Sequence, residues 1–259
     1  MTEDHAQGAL RFEPGRIARI VLNAPERRNA MNRAMWTDLA ALCARIAGDT
    51  GIRVVVVTGA GDAAFSAGAD IGEFAEVYAT PASADSYNAS VRGAQAALAA
   101  LPQPTIAAIR GACFGGGMGL ALHCDLRMAA QGARFALTPA RLGLAYSPDD
   151  TAALIAAVGP ARARELLLTG RAVAGTEALA LGLIHHLHPE AALEGAVAAT
   201  AEGLAALAPG ALAAIKTIVT GLGTGADRSG LQAVFDARFR DAEFREGAAA
   251  FLEKRPARF

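Results

Sequence analysis

Residues 104–122 read PTIAAIRGACFGGGMGLAL, a short apolar run that leads through consecutive glycines into a second apolar stretch. The run is typical of a buried strand, and the second stretch is typical of a helix. Three glycines where a helix begins leave backbone N–H groups uncovered and directed at a site that favours negative charge. No GK[ST] sequence follows, so the segment does not predict a phosphate-binding P-loop. A tight, closely packed strand-to-helix turn explains the glycines equally well.

Residues 54–71, VVVVTGAGDAAFSAGADI, form the second glycine-containing segment. The VVVV run predicts a strand buried on both faces, as in a parallel sheet. Gly59, Gly61 and Ala64 match part of a dinucleotide-binding fingerprint. That fingerprint requires a helix directly after the glycines and an acidic strand end about 20 residues later. Here AFSAGAD follows, and we expect a loop near residue 80, so the pattern argues against a dinucleotide-binding fold.

Outward from these segments, the chain alternates between strands and helices and then becomes helical. Strands are predicted at residues 16–22, 53–58, 104–110, 125–129 and 134–137. Apolar residues recur at helical spacing over residues 31–46, and further helices are predicted at residues 149–158, 161–168 and 176–181. From about residue 191 only helices are expected, with breaks at Pro209 and near residues 221–225. We therefore predict an α/β core over residues 1–199 and a C-terminal helical region over residues 200–259.

The composition suits a folded globular protein and excludes several classes of function. Of the 259 residues, 53% are hydrophobic and 19% are charged, which is enough apolar content for a sizeable core. The net charge of −1 offers no basic surface for nucleic acid. Cys43, Cys113 and Cys124 have no CxxC spacing, which is typical of free thiols. The sequence has neither an apolar leader nor an uncharged apolar run of about 18 residues, so we expect a cytoplasmic protein without a membrane partner.

Five segments, in chain order, resemble successive landmarks of the crotonase (enoyl-CoA hydratase/isomerase) superfamily. They are NAPERRNAMN near the start, FSAGADI, PTIAAIRGACFGGGMGLALHCDLRMA, FALTPARLGLAYSPDDTAALIAAVGPARARELLLTG, and FLEKRPARF at the end. The resemblance covers essentially the whole chain. It implies an α/β fold, a spiral of ββα turns with two nearly perpendicular sheets surrounded by helices. It also implies a homotrimer formed through the C-terminal helices, or a homohexamer built as a dimer of trimers.

The same resemblance implies a binding site for an acyl-CoA thioester. The backbone N–H groups of Ala69 and Gly116 would form an oxyanion hole that binds the thioester oxygen and stabilises an enolate. Arg27 and Arg28 correspond to residues that contact the nucleotide end of CoA, where a guanidinium suits phosphate; solvated loop arginines are the alternative. The other implied substrate-binding residues are Ala30, Ala67, Asp70, Ile71, Gly115, Gly119, Pro139, Phe251 and Lys254. No metal and no separate cofactor are expected, because CoA is part of the substrate.

Two positions depart from the pattern of the family's hydratases. Those enzymes have one glutamate two residues past the glycine triplet and another after a proline in the segment that follows DLRMA, and the two carboxylates handle the water and the proton. Gly119 and Pro139 stand at these positions here. A general acid or base contributes roughly 10²–10⁴-fold in rate, so hydration by the usual mechanism is hard to defend. The backbone oxyanion hole does not depend on either side chain.

Tyr146 is the leading candidate for a replacement group. It resembles a tyrosine of the superfamily's decarboxylases that act on methylmalonyl-CoA, in which loss of CO₂ delivers the enolate without a base. Those enzymes also have a glutamate at the position of Gly119 and a histidine at that of Ala69, which weakens the comparison. An ordinary aromatic wall residue is the alternative interpretation of Tyr146.

The remaining polar residues near these segments are predicted to be structural. Asp149 and Asp150 follow a proline at a predicted helix start, where carboxylates cap N–H groups. Ser147 stands where some relatives have a catalytic aspartate, which a serine cannot replace. Structural hydrogen bonding is predicted for His123 and Asp125, and a loop position is predicted for Ser66. A surface position near a strand end is predicted for His185, His186 and His188.

Three functions stay open on the sequence. The first is an enzyme of the enoyl-CoA hydratase/isomerase type with unusual acid–base groups. The second is a decarboxylase or related enolate-forming lyase that uses Tyr146. The third is a non-catalytic acyl-CoA-binding protein. The absence of two carboxylates favours the second and third over a strict hydratase, whereas similarity along the whole chain favours the first as a description of the family.

Overall fold

The computed structural model describes residues 8–259. Ten strands lie in this part of the chain: β1 (Leu10–Glu13), β2 (Ile17–Leu22), β3 (Val54–Gly59), β4 (Ala64–Ser66), β5 (Thr105–Ile109), β6 (Ala112–Phe114), β7 (Leu126–Ala130), β8 (Arg134–Ala136), β9 (Val173–Ala174) and β10 (His186–His188). Its ten α-helices are α1 (Arg33–Ala47), α2 (Phe74–Val77), α3 (Pro81–Ala99), α4 (Gly116–Leu122), α5 (Pro148–Thr169), α6 (Gly175–Leu181), α7 (Leu193–Ala205), α8 (Pro209–Thr224), α9 (Arg228–Arg238) and α10 (Ala242–Glu253).

The strands form two sheets. The larger has the order β1-β2-β3-β5-β7-β10 and the smaller has the order β4-β6-β8-β9. Neighbours are parallel except for the antiparallel pairs β1–β2 and β8–β9. The pairs β3–β4, β5–β6 and β7–β8 each send one strand to each sheet before the chain continues into helices. This is the spiral of ββα turns that the resemblance to the crotonase superfamily implied.

The four valines at the start of β3 explain its place inside the larger sheet. Val55 and Val57 pack into a core with α1 and α3, whereas Val54 and Val56 pack on the other side of the sheet with α7. Successive side chains of a strand point to opposite faces, and here both faces are covered. A strand of this kind must be apolar at every position, which is why the run is uninterrupted.

Most of the predicted elements are confirmed. The five predicted strands correspond to β2, β3, β5, β7 and β8, each within one residue at either end. The periodic apolar residues near the start of the chain form the buried face of α1, which begins after Asn32, whose side chain accepts a hydrogen bond from the Met35 N–H at 2.9 Å. The helices predicted at residues 149–158 and 161–168 are the two halves of α5, which bends at Gly159 (φ 76°) before Pro160.

The loop expected near residue 80 is wrong, because α3 begins there. Thr80 and Ser83 form a reciprocal capping box: the Ser83 N–H donates to Thr80 Oγ1 at 3.1 Å, and the Thr80 N–H donates to Ser83 Oγ at 3.0 Å. Tyr87, Ala94 and Leu98 then recur at helical spacing and are buried. The threonine–proline start and this spacing were the available signals. Alanine and polar residues elsewhere in the segment concealed them.

The C-terminal part of the described chain is helical, as expected. Residue 200 lies inside α7, whose buried face packs on the larger sheet, and the division into residues 1–199 and 200–259 stays a prediction. No single helix within residues 8–259 is long and apolar enough to cross a membrane. The segments Glu190–Ala205 and Pro209–Thr224 meet the length and composition required only when taken together, and they are bent by 103°.

Candidate active site

A cavity of about 370 Å³ lies beside α3, next to the turn between β6 and α4 and the segment that leads into α5. Apolar and aromatic side chains make up much of its wall, which suits a ligand with an apolar portion. They include Trp36, Phe74, Tyr78, Tyr87, Val91, Leu142 and Leu144. Ile71 also lines the cavity and is 61% exposed, so this wall reaches the protein surface.

The backbone N–H groups of Ala69 and Gly116 lie at the cavity, and neither has an acceptor within residues 8–259. The two residues are close, because an ideal Cβ on Gly116 would lie 3.5 Å from the Ala69 nitrogen. The first N–H groups of a helix have no partner inside it, and Gly116 is the first residue of α4, so its donor is free to bind a ligand beside that of Ala69. The two donors offer a place for a ligand oxygen that carries negative charge.

The loop that carries Ala69 is held by backbone bonds to the segment before α1. The Met31 N–H donates to the Gly68 carbonyl at 2.7 Å, and the Asp70 N–H donates to the Met31 carbonyl at 2.9 Å. Gly68 has a φ of 105°, and a Cβ there would meet the Phe114 carbonyl at 3.0 Å. Only glycine fits this conformation and this close approach without strain. The position of the Ala69 donor therefore depends on its glycine neighbour.

A further backbone hydrogen bond joins this loop to the turn that contains the predicted CoA-binding arginines. The Ala67 N–H donates to the Arg28 carbonyl at 2.9 Å. Asn29, which is fully buried and has a φ of 55°, accepts from the Ala24 N–H and donates to the Ala60 and Ala64 carbonyls. The Asn29 side chain thus links the turn before it to the segment that follows β3.

The two arginines differ in their partners. Arg27 Nη1 lies 2.8 Å from Asp70 Oδ2, and its Nε lies 3.2 Å from Glu26 Oε1. Asp70 also accepts from the Gly72 N–H, so its carboxylate is engaged in an ion pair and a turn. The Arg28 side chain is exposed and has no hydrogen-bond or ionic partner among the described residues. Arg28 is therefore the freer of the two cations.

Half of the predicted site residues line the cavity, namely Ala67, Ala69, Ile71, Gly115, Gly116, Pro139 and Tyr146. The others do not line it in this chain, and these are Arg27, Arg28, Ala30, Asp70, Gly119, Phe251 and Lys254. Phe251 is 83% exposed on α10, and Lys254 follows the end of that helix. A role for these two residues in CoA binding stays a prediction.

Tyr146 points into the fold. Its hydroxyl donates to the Gly115 carbonyl at 2.8 Å, next to the free N–H of Gly116, and its ring packs on the core. Burial raises the pKa of Tyr146 well above the usual value. The phenol is therefore neutral near pH 7 and offers a donor rather than a base.

The capping role predicted for Asp149 and Asp150 is wrong. Ser147 is the cap of α5, since its hydroxyl accepts from the Asp150 N–H at 3.0 Å. The Asp150 side chain turns to the cavity instead and is 5% exposed. Its Oδ1 accepts from Gln95 Nε2 at 3.0 Å, and its Oδ2 accepts from Ser147 Oγ at 2.8 Å. Asp149 stays on the exposed first turn.

Burial is the main reason why the pKa of Asp150 is raised above its usual value. Hydrogen bonds from Ser147 and Gln95 and the nearby His123 partly offset this effect. His123 Nδ1 lies 2.8 Å from the Gly119 carbonyl and 3.8 Å from Asp150 Oδ1. Because a carbonyl can only accept, the Nδ1 atom carries the proton.

Gly119 lies directly behind this carboxyl group. An ideal Cβ on Gly119 would lie 2.5 Å from Asp150 Oδ1 and 2.8 Å from Gln95 Nε2. Any side chain at position 119 would displace both groups. The sequence shows Gly119 only as the absence of a carboxylate, whereas the fold brings another carboxyl group to the same place.

Asp125 has the structural role that was predicted for it. Asp125 Oδ2 accepts from the Thr105 N–H at 2.7 Å and pairs with Lys216 at 2.6 Å, which ties α8 to the core. His185 Nδ1 accepts from the Arg127 N–H, and burial lowers the pKa of His185 to about 4. The three cysteines are buried and free. Residues 8–259 contain no group of three or more potential ligands that could hold a metal ion.

Comparison with known proteins finds relatives along nearly the whole chain. Residues 13–259 match the sequence model of the enoyl-CoA hydratase/isomerase family. The human enoyl-CoA hydratase domain-containing protein 2 is 34% identical over 250 residues, covering 94% of this chain and 85% of that protein. The (E)-benzylidenesuccinyl-CoA hydratase of Thauera aromatica is 36% identical over 202 residues, covering 77% of each.

Solved structures show the same fold. A crystal structure of an enoyl-CoA hydratase/carnithine racemase from Magnetospirillum magneticum has a TM-score of 0.92 at 36% identity, covering 98% of this chain and 96% of that one. An enoyl-CoA hydratase from Bacillus anthracis has a TM-score of 0.89 at 31% identity, covering 97% and 99%. The fold and the sequence together define a crotonase-type protein. This chain belongs to the enoyl-CoA hydratase/isomerase family.

Proposed function

We propose that this protein binds an acyl-CoA thioester in the cavity and stabilises the enolate of its acyl group, as an enzyme of the enoyl-CoA hydratase/isomerase type. The observation that carries the proposal is the pair of free N–H groups of Ala69 and Gly116. A thioester oxygen gains negative charge as an enolate forms, and two fixed donors stabilise that charge. Loss of one such donor costs about 2.7–4 kcal/mol in other enzymes. The apolar wall of the cavity suits the acyl chain.

The turn that contains Arg27 and Arg28 is the proposed binding place for the nucleotide end of CoA. The carbonyl of Arg28 is bonded to the loop that carries Ala69, and the side chain of Arg28 is free in the solvent. A phosphate-bearing end bound at this turn would keep the thioester end directed at the two donors. The names of relatives, such as the Thauera hydratase that acts on (E)-benzylidenesuccinyl-CoA, agree with a CoA thioester substrate.

A homotrimer or homohexamer is part of the proposal. Large apolar side chains on α8–α10 and in the turn between α9 and α10 are exposed in the single chain, which favours their burial against another copy. They include Ile215, Val219, Phe235, Phe239, Phe244 and Phe251. Sedimentation analysis would give the number of copies, and a monomer at micromolar concentration would contradict this part of the proposal.

Decarboxylation is the second candidate reaction, and the inward position of Tyr146 is the observation that favours it. A neutral phenol beside the thioester donates its proton to an enolate formed by loss of CO₂ once its hydroxyl has turned from the Gly115 carbonyl to the bound acyl group. A purely binding function is the third candidate, and it requires only the cavity and the donors. These three functions differ in turnover rather than in binding.

The binding claim is tested with two ligands that differ only in the carbonyl group. Calorimetry compares butyryl-CoA with the thioether S-butyl-CoA, and ultraviolet spectroscopy follows the enolate band of acetoacetyl-CoA. We expect butyryl-CoA to bind more tightly than the thioether and the enolate band to grow when protein is added. Equal affinities together with an unchanged enolate band would contradict an oxyanion hole in this cavity.

Turnover assays then separate the reactions. Loss of the conjugated thioester absorbance of crotonyl-CoA reports hydration, and release of CO₂ from methylmalonyl-CoA reports decarboxylation. Tight binding without either reaction would favour the non-catalytic function.

A further inference from the structure

The lining of the cavity contains few groups that can exchange a proton. Among its residues in the described part of the chain, the ionisable side chains are Tyr78, Tyr87, Arg92, Tyr146 and Asp150. Burial raises the pKa of all three tyrosines, and that of Tyr87 to about 12. A guanidinium does not lose its proton in proteins. Asp150 is therefore the one carboxyl group in this lining, and the group there that is best suited to accept and release a proton.

Three helices fix the carboxyl group of Asp150. Gln95 on α3 holds one oxygen, Ser147 at the start of α5 holds the other, and Gly119 on α4 leaves the space that the group fills. Each carboxyl oxygen accepts one hydrogen bond within the fold and keeps a further lone pair. Gln95 Oε1 is buried, and it has no hydrogen-bond partner among the described residues.

We infer that Asp150 is the acid–base group of this cavity, in the place that a side chain at Gly119 would otherwise take. Its carboxylate removes a proton from the α-carbon of a bound acyl-CoA, and the electron pair of that C–H bond moves onto the thioester oxygen at Ala69 and Gly116. The same carboxyl group then returns a proton to the enolate. Nothing else is consumed. The inference rests on the proposed function, because it needs a bound thioester.

The groups around Asp150 set the pH at which it can act. His123 approaches from the end of α4 and favours the carboxylate, whereas Asp149 on the same helix turn opposes it. Tyr146 and Gln95 face it as neutral groups. Burial has the largest effect and keeps the pKa of Asp150 above its usual value. A general base works best when its pKa is close to the working pH, and the upward shift brings the pKa of Asp150 closer to neutral pH.

Exchange of α-protons with solvent tests the inference without assuming a final product. Butyryl-CoA is saturated, so it exchanges its α-protons in D₂O only through the enolate, and mass spectrometry follows the exchange. The full chain is compared with Asp150→Asn, which keeps the hydrogen-bonding shape of a protonated carboxyl group but cannot accept a proton. Asp149→Asn, which changes an exposed carboxylate on the same helix turn, is the matched control. Calorimetry measures butyryl-CoA binding to each protein.

We expect all three proteins to bind butyryl-CoA, with exchange slower by about 10²–10⁴-fold in Asp150→Asn only. In the parent, the exchange rate should rise with pH to a plateau as Asp150 ionises, and Asp150→Asn should lack this inflection. Parent exchange at the buffer rate, or parent-like exchange in Asp150→Asn, would overturn the inference while binding shows the proposed function intact. Failure of the parent to bind butyryl-CoA would instead overturn the proposed function, and the inference with it.

A double variant separates the carboxyl group from the residue that supplies it. Gly119→Glu combined with Asp150→Ala brings a carboxyl group into the same space from α4. We expect its exchange rate to exceed that of Asp150→Ala alone. No gain in a folded double variant that binds butyryl-CoA would show that a carboxyl group in this space is insufficient and would overturn the inference.

Discussion

An ideal Cβ on Gly119 would lie 2.5 Å from Oδ1 of Asp150, so positions 119 and 150 share one volume. The carboxyl group that occupies this volume comes from the first turn of α5, and Gln95 of α3 holds it from the other side. A position-by-position comparison with hydratases registers only a missing glutamate at Gly119. In the folded protein, the lack of a side chain at Gly119 leaves the space that the Asp150 carboxyl group occupies.

Replacing Gly119 by alanine should therefore destabilise the protein. A Cβ inserted between packed groups forces them apart, and overpacking of this kind costs about 1–3 kcal/mol. Urea denaturation would measure the change, and the penalty should shrink in an Asp150→Ala background because the two sites are coupled. Gly93→Ala is the matched control: Gly93 lies inside α3, and a Cβ there meets nothing within 4 Å. That change should stabilise by about 0.4–1 kcal/mol, and equal effects at both glycines would contradict the shared volume.

Asp150→Asn should raise the melting temperature at neutral and alkaline pH. The folded-state pKa of Asp150 lies above its unfolded-state value, so its contribution to stability is complete below the unfolded-state pKa and is lost as pH rises through the folded-state pKa. Asparagine resembles the protonated carboxyl group and escapes this loss. The difference in melting temperature between variant and parent should therefore widen with pH and close in acid.

The exposed neighbour provides the control for that pH dependence. Asp149→Asn changes a carboxylate that is not buried, so its effect on the melting temperature should not follow the same rise with pH. A pH-independent difference for Asp150→Asn would show that burial does not govern this carboxyl group.

The sequence predicted the parts of the fold that depend on local apolar pattern and on the resemblance. The valine run of β3 and the strands around it were predicted in this way, and the role of Ala69 and Gly116 as donors stays a prediction from the resemblance. What the sequence did not predict depends on contacts between distant segments. Asp150 stands at a helix start, where capping is the common role, and only the arrival of Gln95, 55 residues earlier in the chain, shows that its carboxyl group faces a cavity. Gln95 lies on α3, and because this helix was not predicted, the contact between Gln95 and Asp150 was not predicted either.

The capping box of α3 should contribute measurably to stability. Thr80→Ala removes the oxygen that accepts from the Ser83 N–H, and loss of such a cap costs about 0.5–2 kcal/mol. Urea denaturation would measure it. Thr37→Ala is the control, because the Thr37 hydroxyl donates only to the Arg33 carbonyl of its own helix. A loss no larger for Thr80 than for Thr37 would show that α3 does not depend on its capping box.

Arg28 should contribute to binding of the nucleotide end of CoA and leave the acyl end unaffected. Its carbonyl is tied to Ala67, whereas its side chain has no ionic partner among the described residues, unlike that of Arg27. An exposed ion pair is worth about 0.2–1 kcal/mol, so Arg28→Gln should weaken butyryl-CoA binding by up to about fivefold, less at high salt. Calorimetry should show no change for butyryl-pantetheine, which lacks the nucleotide, and none for Arg164→Gln, an exposed arginine on α5. An equal loss with both ligands would place Arg28 outside the nucleotide contact.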